Sequence, residues 1–138
     1  MSPRPSLVIR LRHVWLVMLI VAWTGAAVLS HLRPEDLPHF QASDKALHGT
    51  GFFVLASLLW LTLRGFGKSL PTCLIAPIVN LAVYGALDEL TQPYFNRTAD
   101  IHDWLSDMLG ALVAVGAWTL LAAARTTLGR LARGGDKS

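Results

Sequence analysis

Charge is scarce in this sequence. Asp, Glu, Lys and Arg together make up 15% of its 138 residues, against 53% hydrophobic. That ratio excludes an ordinary soluble domain and makes the lipid bilayer the natural solvent. Cysteine is nearly absent too. Cys73 has no partner in the chain, so an internal disulfide or a cysteine-based metal cluster is excluded, and it reads as a small buried hydrophobe. Strands of alternating apolar and polar residues are missing. The apolar runs are continuous, which excludes a transmembrane β-barrel. Internal repeats and low-complexity runs are also lacking, and the length fits one domain.

Four apolar stretches are present: Val14 to Ser30, Ala46 to Leu63, Thr72 to Leu87 and Trp104 to Ala124. Each approaches the length a helix needs to cross a hydrocarbon core of about 30 Å, with the first three at the short end of the range. Arg4, Arg10 and Arg12 before the first stretch, and Gly25 to Ala27 near its end, share features with a signal peptide. Its apolar run is longer than a signal needs, and no clean small-x-small site precedes a soluble domain, so it is read as a span.

Basic residues set the orientation. Nine of the 12 Lys and Arg lie before the first span, between the second and third, or after the fourth. The positive-inside rule makes those segments cytoplasmic. The expected fold is therefore an all-α, four-helix transmembrane bundle with both termini inside. Residues 1–13 form a cytoplasmic N-terminal segment, 14–125 the transmembrane domain and 126–138 a cytoplasmic tail, in a multi-pass protein of the plasma (inner) membrane. The remaining two segments, with their helix ends, carry eight of the nine acids. The net charge of +3 is thus a topology signal, and no nucleic-acid partner is expected. The expected partners are the lipid bilayer and a lipid-linked or cell-wall ligand; the sequence does not give the oligomeric state.

In finer detail, Ser43 is placed to cap the second helix, Pro77 to kink the third, and the short Arg64 to Pro71 turn to make spans two and three antiparallel neighbours. Gly110 and Ala114, at i and i+4, would let another helix approach the fourth closely.

Polar residues gather at the outer ends of spans two, three and four. Asp44 and His48 are i, i+4 with Lys45 beside them; Glu89 and Gln92 are i, i+3, with Tyr84 and Asp88 on a neighbouring strip; Asp100, Asp103 and Asp107 recur at +3 and +4. For Asp44, Asp100 and Asp103, helix capping at about 0.3 to 1 kcal/mol each is a sufficient local reason. Asp88 and Glu89 stand at a helix C-terminus, where the dipole disfavours them. Asp107 is a turn deeper than Asp103, and a carboxylate at that depth faces the bundle interior and a partner.

The pattern Asp44-Lys45-x-x-His48, Glu89-x-x-Gln92 and Arg97-x-x-Asp100-x-x-Asp103-x-x-x-Asp107-x-x-Gly110 resembles the VanZ-like family of small bacterial membrane proteins. The resemblance covers roughly Asp44 to Gly116. It implies a multi-pass plasma-membrane protein, with a namesake associated with low-level resistance to the glycopeptide teicoplanin, and it brings no agreed reaction. Where this chain has Asp107, the family pattern often has Asn.

Three functions compete. An outward-facing enzyme acting on a lipid-linked or cell-wall substrate would use His48, Glu89, Asp103 and Asp107 as candidate catalytic residues or as ligands of a divalent metal ion, with Asp44, Lys45, Gln92, Arg97 and Asp100 binding substrate. Without metal, Glu89 and His48 would be acid and base. A non-catalytic envelope binding or assembly protein would use the same charges as structural pairs, Arg97 with Asp100 or Asp103 and Lys45 with Glu89. A proton- or ion-coupled transporter ranks third, because the inner halves of the spans offer no polar path.

Overall fold

The structure is a computed structural model that describes residues 5–32 and 43–134. Four long helices follow one another: α1 (Pro5–Ser30), α2 (Asp44–Gly65), α3 (Leu70–Thr91) and α4 (Ile101–Gly134). All four are long and apolar enough to cross a membrane. The expected all-α four-helix architecture is present, and the chain is a multi-pass membrane protein. Most of the first connecting loop, with Arg33, Pro34, Glu35, Asp36 and Pro38, lies outside the described residues.

Local chemistry fixes the helix ends. The Ser43 side chain accepts from the Ala46 N–H and caps α2. Gly67, at φ 73°, takes the left-handed conformation that reverses the chain after α2. Ser69 caps α3, with Pro71 in its first turn. Pro77 lies buried within α3, which remains one helix from Leu70 to Thr91. A 3-10 turn, Gln92–Phe95, extends α3 and ends at Asn96 in the left-handed region. Asp100 opens α4: its carboxylate accepts the His102 N–H and its carbonyl accepts the Asp103 N–H.

The helices outrun the apolar windows read from sequence. At 34 residues, α4 is about 51 Å long, well beyond the hydrocarbon thickness. It therefore carries Arg125 and Arg130 beyond the length of the hydrocarbon core on one continuous helix.

Each helix of the core presents a stripe at helical spacing. On α3 it is Cys73, Pro77, Leu81, Gly85 and Glu89; on α4 it is Asp103, Asp107, Ala111, Ala114 and Val115. Phe52, Leu55, Ala56 and Trp60 of α2 complete the core. Helix α4 packs chiefly on α2 and also on α3, so the expected α2–α3 contact exists but α4 is the larger partner of both. The tightest crossing is between α2 and α4, where a Cβ on Gly110 would overlap the Gly49 carbonyl. Helix α1 lies against α2, and its large apolar side chains, among them Val17, Ile20 and Val21, face outward as a lipid-contacting surface requires.

The result has two ends. The C-termini of α1 and α3 and the N-termini of α2 and α4 meet at one; the described chain termini and the α2–α3 turn lie at the other.

Candidate functional site

The polar end is assembled from all four helices. His48 Nδ1 on α2 lies 3.1 Å from Asp107 Oδ1 on α4, and the Asp107 side chain is fully buried. Gly85 of α3 makes room for this pair, because a Cβ there would press on Asp107 Oδ2, Trp104 and Phe52. Glu89, also buried, reaches across from α3 and accepts the backbone N–H of Asp100 at 2.8 Å, which ties the end of α3 to the start of α4. Gln92 donates from Nε2 to both Glu89 Oε1 and Asp88 Oδ2 at 3.3 Å. Helix dipole and capping do not favour Asp88 and Glu89; side-chain hydrogen bonds hold them instead, from neighbouring Gln92 to both and from the start of α4 to Glu89.

Lys45 and Arg97 stand above this floor. Lys45 Nζ contacts Asp100 Oδ2 at 3.2 Å and Asp103 Oδ1 at 3.4 Å, and Arg97 Nη2 lies 3.7 Å from Asp44 Oδ2. The pairing differs from the sequence expectation, in which Arg97 met Asp100 or Asp103 and Lys45 met Glu89. The 3-10 turn after α3 and the reversal at Asn96 bring Arg97 towards the start of α2, and Lys45, one residue on from Asp44, faces α4. Asp100 lies outside the membrane-spanning segments. Hydrogen bonds from the backbone N–H and imidazole of His102, with help from Lys45, hold its carboxyl down at about 2.

All nine sequence-derived candidates, Asp44, Lys45, His48, Glu89, Gln92, Arg97, Asp100, Asp103 and Asp107, gather at this one end. They divide into a buried floor of Glu89, Gln92, Asp103 and Asp107, half-buried His48 and Arg97 beside it, and a more exposed rim of Asp44, Lys45 and Asp100. Two triplets of donor atoms lie within 4.8 Å of one another: His48, Glu89 and Asp107, and Asp44, His48 and Asp103. His48 belongs to both.

Sequence reading left out the α1 contribution. Ser30 Oγ donates to Asp88 Oδ1 at 2.6 Å, and His31 sits with Nε2 3.0 Å from Thr91 Oγ1 and its ring edge-on to Phe95. The available signal was a Ser-His pair closing the first span at the depth where Asp88 closes the antiparallel third. Trp104, whose Nε1 donates to the Ala82 carbonyl, was likewise unassigned. Below Ser30, Trp23 packs edge-on against Tyr84, which stacks on Phe52. An apolar groove of about 730 Å³ runs along α1 from Leu19 past Trp23 and Ala27 to His31, so it ends at the polar cluster.

The family model described as VanZ/LLP1 matches residues 5–122, which takes in three spans, most of the fourth and the nine sequence-derived candidates. The chain belongs to the VanZ/LLP1 family. No curated protein and no solved structure matches it. Within this VanZ/LLP1 chain, the three motifs that carried the resemblance converge: Asp44 to His48 supplies one wall, Glu89 to Gln92 a second, and Arg97 to Gly110 the third.

Proposed function

We propose that this VanZ-type membrane protein uses the polar end of its bundle, on the outer face of the plasma membrane, to hold a divalent cation and, through it, the phosphate-bearing headgroup of a lipid-linked cell-envelope component. The observation that carries the reading is the convergence of His48, Glu89 and Asp107 from three helices, with donor atoms within 4.8 Å of one another. One imidazole and two carboxylates suit a transition-metal or zinc ion, and small side-chain adjustments would bring all three within coordination distance.

Charge supports a cation in preference to direct anion binding. Among the described residues, six carboxylates, Asp44, Asp88, Glu89, Asp100, Asp103 and Asp107, share this end with two permanent cations, Lys45 and Arg97. Several of the acids are buried, and burying that much like charge is costly without compensating positive charge. A bound divalent ion supplies it and turns an acidic site into one that attracts phosphate, with Lys45 at the rim as a further contact. The apolar groove along α1 ends at the same place and suits a lipid tail. A metal ion there would supply Lewis-acid polarisation of a phosphoryl oxygen, so hydrolysis or transfer on the headgroup is within reach of the same residues.

A second reading has its own observation. Lys45, Arg97, His48 and Gln92 already have carboxylate partners, as a purely structural clasp between helices would. In that case the protein is a non-catalytic envelope binding or assembly factor. Elemental analysis of purified protein separates the two. The metal reading expects about one divalent ion per chain after incubation with Mn²⁺ or Zn²⁺, lost in His48→Ala and Asp107→Ala while helicity by circular dichroism is kept. Folded wild-type protein that takes up no ion transfers the assignment to the clasp. If the family's glycopeptide association extends to this chain, expression raises tolerance to teicoplanin, and His48→Ala removes the effect.

A further inference from the structure

The opposite end of the bundle holds a second groove that the proposed function does not use. It has a volume of about 1040 Å³ and lies between α1, α2 and α4. Four arginines line it, Arg12 from α1, Arg64 from α2, and Arg125 and Arg130 from α4, over a floor that includes Trp60 and Trp118. We propose that this groove is a binding site for the phosphate of an anionic phospholipid in the leaflet at the end of the bundle that carries the chain termini.

Three features go beyond the arginine surplus that topology alone demands. First, the guanidinium groups have no acidic partners among the described residues, whose ion pairs all involve a carboxylate at the polar end. Second, they are positioned. Gly65 lets α1 approach so closely that an added Cβ would meet Arg12 Cβ at 3.0 Å, which sets Arg12 against α2. Arg12 then lies over the Phe66 ring at 5.1 Å and Arg64 over the Trp60 ring at 5.9 Å, while Arg64 Nη1 donates to the Lys68 carbonyl. Planar stacking of this kind orients the donor fork for a phosphate.

Third, the floor carries an unsatisfied donor. Trp60 is only 5% exposed and stacks on Trp118 at 5.8 Å, yet its Nε1–H has no hydrogen-bond partner among the described residues, and neither has the buried Nε of Arg12. Buried indole N–H groups usually find an acceptor. Trp60 lies one turn, about 6 Å, inside Arg64, the depth at which the ester and glycerol oxygens of a lipid sit below its phosphate. The groove walls also include Leu61 and Leu121, and Leu121 is half exposed. A lipid meets the charges and the apolar wall together; a free phosphate ion satisfies only the charges.

Tryptophan fluorescence tests this on the intact wild-type protein, because three of its five tryptophans, Trp15, Trp60 and Trp118, line the groove. The protein is reconstituted into phosphatidylcholine vesicles containing equal mole fractions of chain-brominated phosphatidylglycerol or chain-brominated phosphatidylcholine. The expected result is clearly stronger quenching by the anionic lipid, corresponding to roughly tenfold preferential occupancy. The preference is expected to disappear in the double variant Arg64→Gln, Arg125→Gln and to survive millimolar inorganic phosphate. Equal quenching by the two lipids in wild type overturns the proposal, as does a preference that persists in a folded double variant. Abolition by inorganic phosphate at low millimolar concentration overturns the assignment to lipid. Should the double variant fail to fold, the wild-type comparison decides.

Discussion

The two ends of this bundle are both charged, but they carry charge in different ways. At one, carboxylates and cations from four helices are paired across helix boundaries, and Asp88, Glu89, Asp103 and Asp107 are buried. At the other, arginines have no acidic partners among the described residues and lie against apolar or aromatic surface. Burial accounts for the difference. A charge taken out of water needs a specific partner held in place, whereas a long side chain at the membrane boundary can reach water or lipid headgroups. The first arrangement demands exact spacing of α2, α3 and α4, whereas the second demands it chiefly where Gly65 seats Arg12 against α2.

The largest test of that contrast is Gly110→Leu. The new side chain would collide with the Gly49 backbone, force α2 and α4 apart and separate His48 from Asp107. A loss of about 3 kcal/mol or more is expected, seen as loss of monodisperse protein in detergent or a large fall in melting temperature. Next comes Asp107→Ala, which strands His48 and opens space beside Gly85. It should cost about 1 to 3 kcal/mol and abolish metal uptake, with Asp107→Asn keeping the fold because Asn retains the shape and an acceptor.

Ser30→Ala is a sharper probe of the α1 attachment. It removes the 2.6 Å hydrogen bond to buried Asp88, and about 1 to 2 kcal/mol should be lost, with faster proteolysis of the α1–α2 connection. At the basic end, Arg130→Gln should leave stability within about 0.5 kcal/mol of wild type, measured by thermal unfolding, since the side chain is exposed. The smallest effect is expected at Asp100. Its carboxyl is lowered from 3.8 to about 2, so its ionised contacts with His102 and Lys45 contribute fully above about pH 4 and are lost as pH falls through 2. Melting temperatures of wild type and Asp100→Asn should differ slightly at neutral pH and converge towards pH 2.

The helices and the cluster were legible in sequence for physical reasons. Hydrophobic length gives the spans directly, and Ser43 and Asp100 mark helix starts by their capping chemistry. The i, i+4 spacing of Asp103 and Asp107 placed both on one buried face. The pairings were less legible. Whether Lys45 meets Glu89 or Asp103 depends on how α2 rotates against α4, which is set by backbone contact at Gly49 and Gly110 and leaves no periodicity to read. Ser30 and His31 escaped because single polar residues at a span's end are common, and only the fold shows that they face Asp88. The extent of α4 was underestimated because its last turns are polar, and hydropathy reports where a helix leaves lipid, which is not where it ends.

The contact between Gly49 and Gly110 also governs how faithfully the cluster can be reproduced from one molecule to the next. Side chains that separate two helices act as adjustable spacers, since each rotamer change alters the gap. Here the main chains themselves touch, one turn from Asp107, and there is no spacer to adjust. The distance across which His48 must reach is therefore a fixed mechanical dimension, in the way that a bearing seated metal to metal keeps its alignment while one seated on rubber drifts.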